Sequence, residues 1–321
     1  MRRLKQLLRP LLIVVLLLLV AEGLYRITFY KGDLAEHSVG LAQLPQEVAA
    51  SGAEMVYLGE SSNHTYSPGD DDTSKISEMV GRFFPDMRMA DMTHDGSHGD
   101  VYYELLRHLS HTDNQVETVI VTLNMRSFGP CWIYSPLETA LQKKLVMLRN
   151  RPALVNRAVL TFKAYDVKSD DERYGQMYDY WVEHPLPQHP DLYAWCDTMP
   201  PMAQDLVKCY YFSIDTLNNP RVHDFDKMAA LAREQGWQLV FNLLAENVEL
   251  CDSLVGSDLT HQMRQNRDIL VEYFSRRGVI VVDNLEVIED VRFRDRDFPT
   301  EHYDQTGRMR IARRIAEALN Q

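Results

Sequence analysis

A serine hydroxyl attacks a carbonyl only when an imidazole takes its proton, and the imidazole needs an acid or a carbonyl to fix its tautomer. This sequence carries both halves of such a pair, far apart: Ser61 in Gly59-Glu60-Ser61-Ser62-Asn63-His64, and His302 in Phe298-Pro299-Thr300-Glu301-His302-Tyr303-Asp304. Asp297, Glu301 and Asp304 stand near the histidine. Most serines in turns are turn formers or helix caps, and most lone loop histidines are surface residues. What sets this pair apart is the set of elements around it.

Short β-rich runs alternate with helical patterns, which is the arrangement a parallel sheet covered on both faces requires. Strands are expected at Met55 to Leu58, Met87 to Met92, Thr118 to Leu123, Gln238 to Leu244 and Val279 to Asp283. Between them Lys75 to Phe84, Val101 to Leu109, Asp226 to Gln235 and Gln262 to Arg276 place apolar residues at helical spacing. Gly236 and Gly278 supply stops, and Arg308 to Leu319 forms a closing amphipathic helix. The fold class is α/β, a three-layer doubly wound sheet of about five parallel strands. Open sheets of this kind bind ligands at the carboxyl ends of their strands. Ser61 follows the first strand and His302 lies between the fifth strand and the closing helix, so both fall on that edge.

The stretch 126–222 has no clear strand-helix repeat and reads as an insertion after the third strand. It is rich in rings, among them Trp132, Tyr134, Tyr174, Tyr178, Trp181, Trp195 and Tyr211. Such rings stack on sugar faces, but a helical cap whose aromatics fill its own core is the preferred reading.

At this point the chain resembles the SGNH (GDSL-like) hydrolase superfamily. Leu58-Gly59-Glu60-Ser61 is similar to the family's first block, with Glu60 where Asp is usual. Ser97-His98-Gly99-Asp100 resembles the second block, and Val121-Thr122-Leu123-Asn124 the third, without its usual glycine and aspartate. His302 and Gly307 match the last block. The resemblance spans Met55 onward, outside the insertion, and implies a flavodoxin-like SGNH fold. It also implies Ser61 as nucleophile, His302 as general base and then acid, and the Ser61 amide, Gly99 amide and Asn124 side chain as oxyanion hole. The family's acid stands three residues before the histidine, where this chain has Pro299. Asp297 is the natural substitute, Glu301 the next; the Pro299 carbonyl or a serine-histidine dyad are the remaining options.

The amino terminus reads as an address. Arg2, Arg3, Lys5 and Arg9 precede an unbroken apolar run from Leu11 to Ala21, the pattern of a segment inserted with its start in the cytoplasm. Residues 1–30 are therefore expected to be a membrane anchor or signal, with an uncleaved anchor favoured, and 31–321 an extracytoplasmic catalytic domain. The formal charge is -12 overall and -16 beyond residue 30, which argues against nucleic acid. No P-loop or G-x-G-x-x-G is present and no cofactor is expected. Cys131, Cys196, Cys209 and Cys251 allow up to two disulfides but fit no metal or redox spacing. His94 with His98, and His108 with His111, read as surface or helix histidines, and Asp70-Asp71-Asp72 as a solvated turn.

The expected activity is hydrolysis of an ester, an O-acetyl group on a carbohydrate, through an acyl-enzyme. The layout also resembles proteins that accompany membrane-bound O-acyltransferases, which implies acetyl transfer to a cell-surface glycan as the alternative. A non-catalytic scaffold on the same fold is the rival from another class.

Overall fold

The computed structural model describes residues 2–165 and 168–321. The side chains of residues 2–8, including Arg2, Arg3 and Lys5, and the residues Asp166 and Val167 lie outside the described set. The chain divides into two compact units, one of residues 1–43 and 139–167, the other of residues 44–138 and 168–321. The segment 126–222, expected as one insertion, is thus shared between them.

The larger unit is built on five strands, β1 Met55–Gly59, β2 Met89–Thr93, β3 Thr118–Leu123, β4 Gln238–Leu243 and β5 Ile280–Asp283. They form one sheet in the order β2-β1-β3-β4-β5, every neighbouring pair parallel. This is the order of the flavodoxin-like open sheets. β1 and β3 are buried at every position, which explains why their sequences run apolar without alternation. On one face Met55, Tyr57, Ile120, Val240 and Val282 pack with Ile76, Met79 and Val80 of the helix Ile76–Gly81 and with Ile311, Ala312 and Ile315 of the helix Gln305–Leu319. On the other, Phe241 meets Phe225 and Phe274 edge-on at 4.8 and 5.0 Å, from the helices Pro220–Gln235 and Ser257–Ser275. Residue spacing of two along the strands delivers side chains to both layers. Gly236 ends the helix Pro220–Gln235 at φ 74°, a left-handed conformation that suits glycine.

Among the described residues the chain between β3 and β4 is helical: Pro130–Ile133, Pro136–Leu145, Ala153–Thr161, Asp170–Glu183, Leu192–Cys196 and Pro201–Tyr210. Its aromatics divide. Trp181, Tyr210 and Tyr211 are buried, and His189 stacks on Trp195 at 3.5 Å, whereas Tyr174 and Tyr178 stand exposed.

In the smaller unit, the helix Arg2–Thr28 contains one stretch, Arg9–Thr28, long and apolar enough to cross a membrane. Leu11 to Val20 are all exposed. Glu22 interrupts this apolar surface for a reason: its carboxylate accepts from the amides of Ala153 and Leu154 at 2.7 and 2.9 Å. Those amides open the helix Ala153–Thr161 and have no acceptor within it. Val146, Met147 and Leu160 form this unit's core, with Tyr30 and Leu34 against it.

Candidate active site

β1 ends in Gly59, and the chain turns at once into the four-residue helix Ser61–His64. A Cβ on Gly59 would come within 2.9 Å of both Asn63 and the Tyr57 ring, so only glycine permits this turn. Asn63 locks the turn. Its carboxamide donates to Thr93 Oγ1 at 2.7 Å and to Ser77 Oγ at 3.2 Å and accepts from the Ser77 amide at 2.9 Å. Ser61 is thereby presented at the carboxyl end of β1, beside β3, where strand order reverses direction and such sheets form a crevice.

His302 arrives from the far end of the sequence on a loop closed like a hairpin. Phe293 and Tyr303 make an antiparallel bridge, Arg294 N donates to His302 O at 2.8 Å, and Asp304 N donates to Arg292 O at 2.8 Å. This loop is fastened to the Ser61 side by the helix that follows it. Buried Arg308 donates to Asp70 Oδ2 at 3.0 Å, to Asp72 O at 2.5 Å and to Thr65 O at 3.2 Å, while the Gln305 amide donates to Asp70 Oδ1 at 3.0 Å. Asp70 is therefore no solvated turn residue: it ties the nucleophile segment to the histidine segment.

The two functional side chains meet. Ser61 Oγ lies 2.9 Å from His302 Nε2, across 241 residues of sequence. The carboxylate beside the imidazole is that of Asp295 rather than the expected Asp297. His302 Nδ1 contacts Asp295 Oδ2 at 2.5 Å, and Thr300 Oγ1 donates to the same oxygen at 3.2 Å. Asp297 is exposed at the loop tip. Hairpin-like closure, rather than a fixed offset of three residues, sets the partner: pairing Phe293 with Tyr303 brings residue 295 back alongside residue 302. Burial pushes the Asp295 carboxyl up, but the His302 hydrogen bond and charge, with Thr300 and Arg294, hold it below the usual aspartate range.

Glu301, the second candidate acid, faces the opposite way. It is buried and takes Arg126 Nε at 2.6 Å and Nη2 at 2.5 Å, a bidentate pair, while Arg126 Nη1 donates to Pro299 O at 2.6 Å. The Pro299 carbonyl is therefore occupied by Arg126 and does not orient His302. Removing one partner of such a pair strands a charge in the interior. Glu301→Gln is expected to lower stability by about 3 kcal/mol, read from urea unfolding.

Of the expected oxyanion donors, Ser61 and Gly99 are the first residues of their helices, so neither amide has an intrahelical acceptor. Asn124 is committed differently. Its Nδ2 donates to Glu301 Oε2 at 2.9 Å and its Oδ1 accepts from the Arg126 amide at 3.0 Å, which leaves one N–H of the carboxamide for another acceptor. Its first role is to orient the Arg126–Glu301 pair.

Three further residues around the site have surroundings that the sequence did not indicate. Glu60, buried directly before the serine, places Oε2 2.8 Å from Ser61 Oγ. Burial first, then the neighbouring Glu301 carboxylate, push its carboxyl up. Glu246, three residues beyond β4, accepts from Tyr210 Oη at 2.6 Å and is driven well upward by burial and Glu301. His98, read as a surface or helix histidine, stands at the N-cap of the helix Gly99–Leu109 and is buried rather than on the surface, its Nε2 2.9 Å from Glu138 Oε2. Burial and Arg221 press its ring toward the neutral form.

Cys131, half-buried, is drawn down to about 7 by the Cys209 thiol and Arg126, against burial. Cys196 is raised to about 11 by burial, and buried Cys209 and Cys251 are also pushed up. Iodoacetamide at neutral pH is therefore expected to alkylate Cys131 first, as peptide mass mapping would show.

Among the described residues one group, Asp33, Glu36 and His37, gathers ligand atoms at metal-binding distances, and its Asp33 already meets Tyr25 Oη and Arg157. Scanned against protein-family models the chain matches none, and no curated protein matches it either.

Proposed function

We propose that this chain is a serine enzyme of the SGNH type that cleaves an ester through an acyl-enzyme. The observation that carries the reading is the continuous relay from Ser61 Oγ to His302 Nε2 at 2.9 Å and from His302 Nδ1 to Asp295 at 2.5 Å, at the crevice edge of a parallel sheet. In the first half-reaction Ser61 Oγ bonds to the substrate carbonyl carbon and its proton passes to His302 Nε2. Asp295 stabilises the imidazolium so formed. The amides of Ser61 and Gly99, with the remaining carboxamide N–H of Asn124, are the donors open to the developing oxyanion, and His302 returns the proton to the leaving alkoxide. An acceptor hydroxyl then gives its proton to His302 and takes the acyl group.

The flavodoxin-like order of the sheet and the helices on both its faces support the SGNH assignment. The exposed apolar surface of Arg9–Thr28 supports a tether in a lipid bilayer, and Arg9 at its start supports a cytoplasmic amino terminus and an extracytoplasmic catalytic unit. The substrate class proposed is an O-acylated carbohydrate of the cell envelope. If the acceptor is a sugar hydroxyl rather than water, the enzyme is an O-acetyltransferase that would work with a membrane-bound O-acyltransferase.

A fluorophosphonate reagent tests the chemistry on the full chain in detergent. Labelling is expected at Ser61 by peptide mass analysis and is expected to vanish in Ser61→Ala. Folded protein that takes no label would remove the reading. Products formed from an acetyl ester with and without an oligosaccharide acceptor then separate hydrolysis from transfer.

A further inference from the structure

Ser61 Oγ has two hydrogen-bonding neighbours within 3 Å, Glu60 Oε2 at 2.8 Å and His302 Nε2 at 2.9 Å. A hydroxyl carries one proton. His302 Nδ1 faces the carboxylate of Asp295, so the neutral ring holds its proton there and Nε2 is an acceptor. Ser61 must then donate to Nε2. The contact with Glu60 can be a hydrogen bond only when the proton in it belongs to Glu60.

The surroundings favour that form. Glu60 is buried, and its other oxygen, Oε1, is enclosed with no hydrogen-bond partner among the described residues. An anion there would leave a charged oxygen unsatisfied, whereas a neutral carboxyl leaves only a carbonyl. The groups that face it are Tyr57 from β1, Tyr102 from the helix Gly99–Leu109, Arg126 beyond β3, and Glu301 and Tyr303 from the histidine loop. Arg126 is the one cation among these, and it is already bonded bidentately to Glu301. Burial first, then the Glu301 charge, resist ionisation of Glu60 and outweigh the opposing pull of the Ser62 and Ser61 hydroxyls and of Arg126.

We propose that Glu60 is a further catalytic residue, a carboxyl kept neutral that donates from Oε2 to Ser61 Oγ and so points the serine's own proton at His302. This deepens the serine-enzyme reading and rests on it for its catalytic part. Glu60 keeps its proton throughout the cycle, while His302 alone takes and returns one in each half-reaction. The donated hydrogen bond strengthens as negative charge gathers on Oγ, when the serine attacks and again when it departs, so it favours the transition states over the resting hydroxyl. Ionised, Glu60 would instead accept the serine's proton and draw it away from Nε2.

The test has two arms on the full chain. In the first, infrared difference spectra are expected to contain a neutral-carboxyl C=O band that is lost in Glu60→Gln and moves to higher frequency in Ser61→Ala, where its acceptor is gone. In the second, Glu60→Ala, which has no donor, is expected to slow fluorophosphonate labelling by about a hundredfold, and Glu60→Gln, whose amide can donate in the same place, is expected to recover at least about tenfold of that loss. It should also lose the decline that the wild type shows as pH rises through the ionisation of Glu60. Absence of the band, or a hundredfold slower Glu60→Gln of intact fold with an unchanged pH profile, would overturn the proposal. Should Glu60→Gln fail to fold, the Ser61→Ala band decides alone, its shift supporting the assignment and an unshifted spectrum refuting it. A band that behaves as expected in protein that takes no label would uphold the neutral donor while removing the serine-enzyme reading.

Discussion

Ser61→Ala and His302→Ala are each expected to reduce turnover of a small acetyl ester by at least about 10⁴-fold, and the double variant no further. The reason is that neither group acts alone. Without the imidazole the hydroxyl stays a hydroxyl, and without the hydroxyl the imidazole has only solvent to activate. Ser61 Oγ and His302 Nε2, 2.9 Å apart, form one reacting unit, so their losses should not add. Steady-state rates of the two single variants and the double, with circular dichroism to confirm folding, check this. A double variant much slower than either single would show that each residue works separately.

Asp295→Asn is expected to cost on the order of 10³-fold in kcat, whereas Asp297→Asn should stay within about twofold of the parent. An asparagine at 295 can present its amide N–H to Nδ1, which flips the imidazole into the tautomer that cannot accept from Ser61. Asp297 makes no such contact from the exposed loop tip. Because the Asp295 carboxyl is held below its ordinary value of 3.8, its contribution to stability is present above that pH and is lost as pH falls through the lowered value. Unfolding curves of Asp295→Asn and the parent should therefore differ at neutral pH and converge in strong acid. Equal kcat losses at 295 and 297 would mean that the loop adopts another closure during turnover.

The middle of the sheet was legible because β1 and β3 are buried at every position and read as apolar runs. Each of the five expected strands overlaps the observed one, with shifts of up to two residues at the ends, as at Met89–Thr93. Ser61 and His302 were legible because position on a parallel sheet's edge follows from strand order alone. Asp295 was not, since its pairing with His302 depends on the Phe293–Tyr303 bridge, and nothing local announces a contact between two loop residues. Arg126 carried no signal and Glu301 stood as a candidate acid beside His302; their burial together as a bidentate pair was visible in neither. Glu22 stands directly after the apolar run Leu11 to Ala21, and nothing in that position announces that it holds the amides at the start of a helix more than a hundred residues later.

The staple of Arg308 on Asp70 has a further outcome for how the protein fails. Most of the sheet's strand pairings would survive if the helix Gln305–Leu319 swung away, yet its departure would carry the imidazole with it. Opening of a peripheral element takes less free energy than melting the whole fold. Catalytic competence should accordingly disappear at a lower urea concentration than the far-ultraviolet signal of the helices and sheet. Mild stress would leave a well-ordered but silent molecule that regains its chemistry when the latch re-engages.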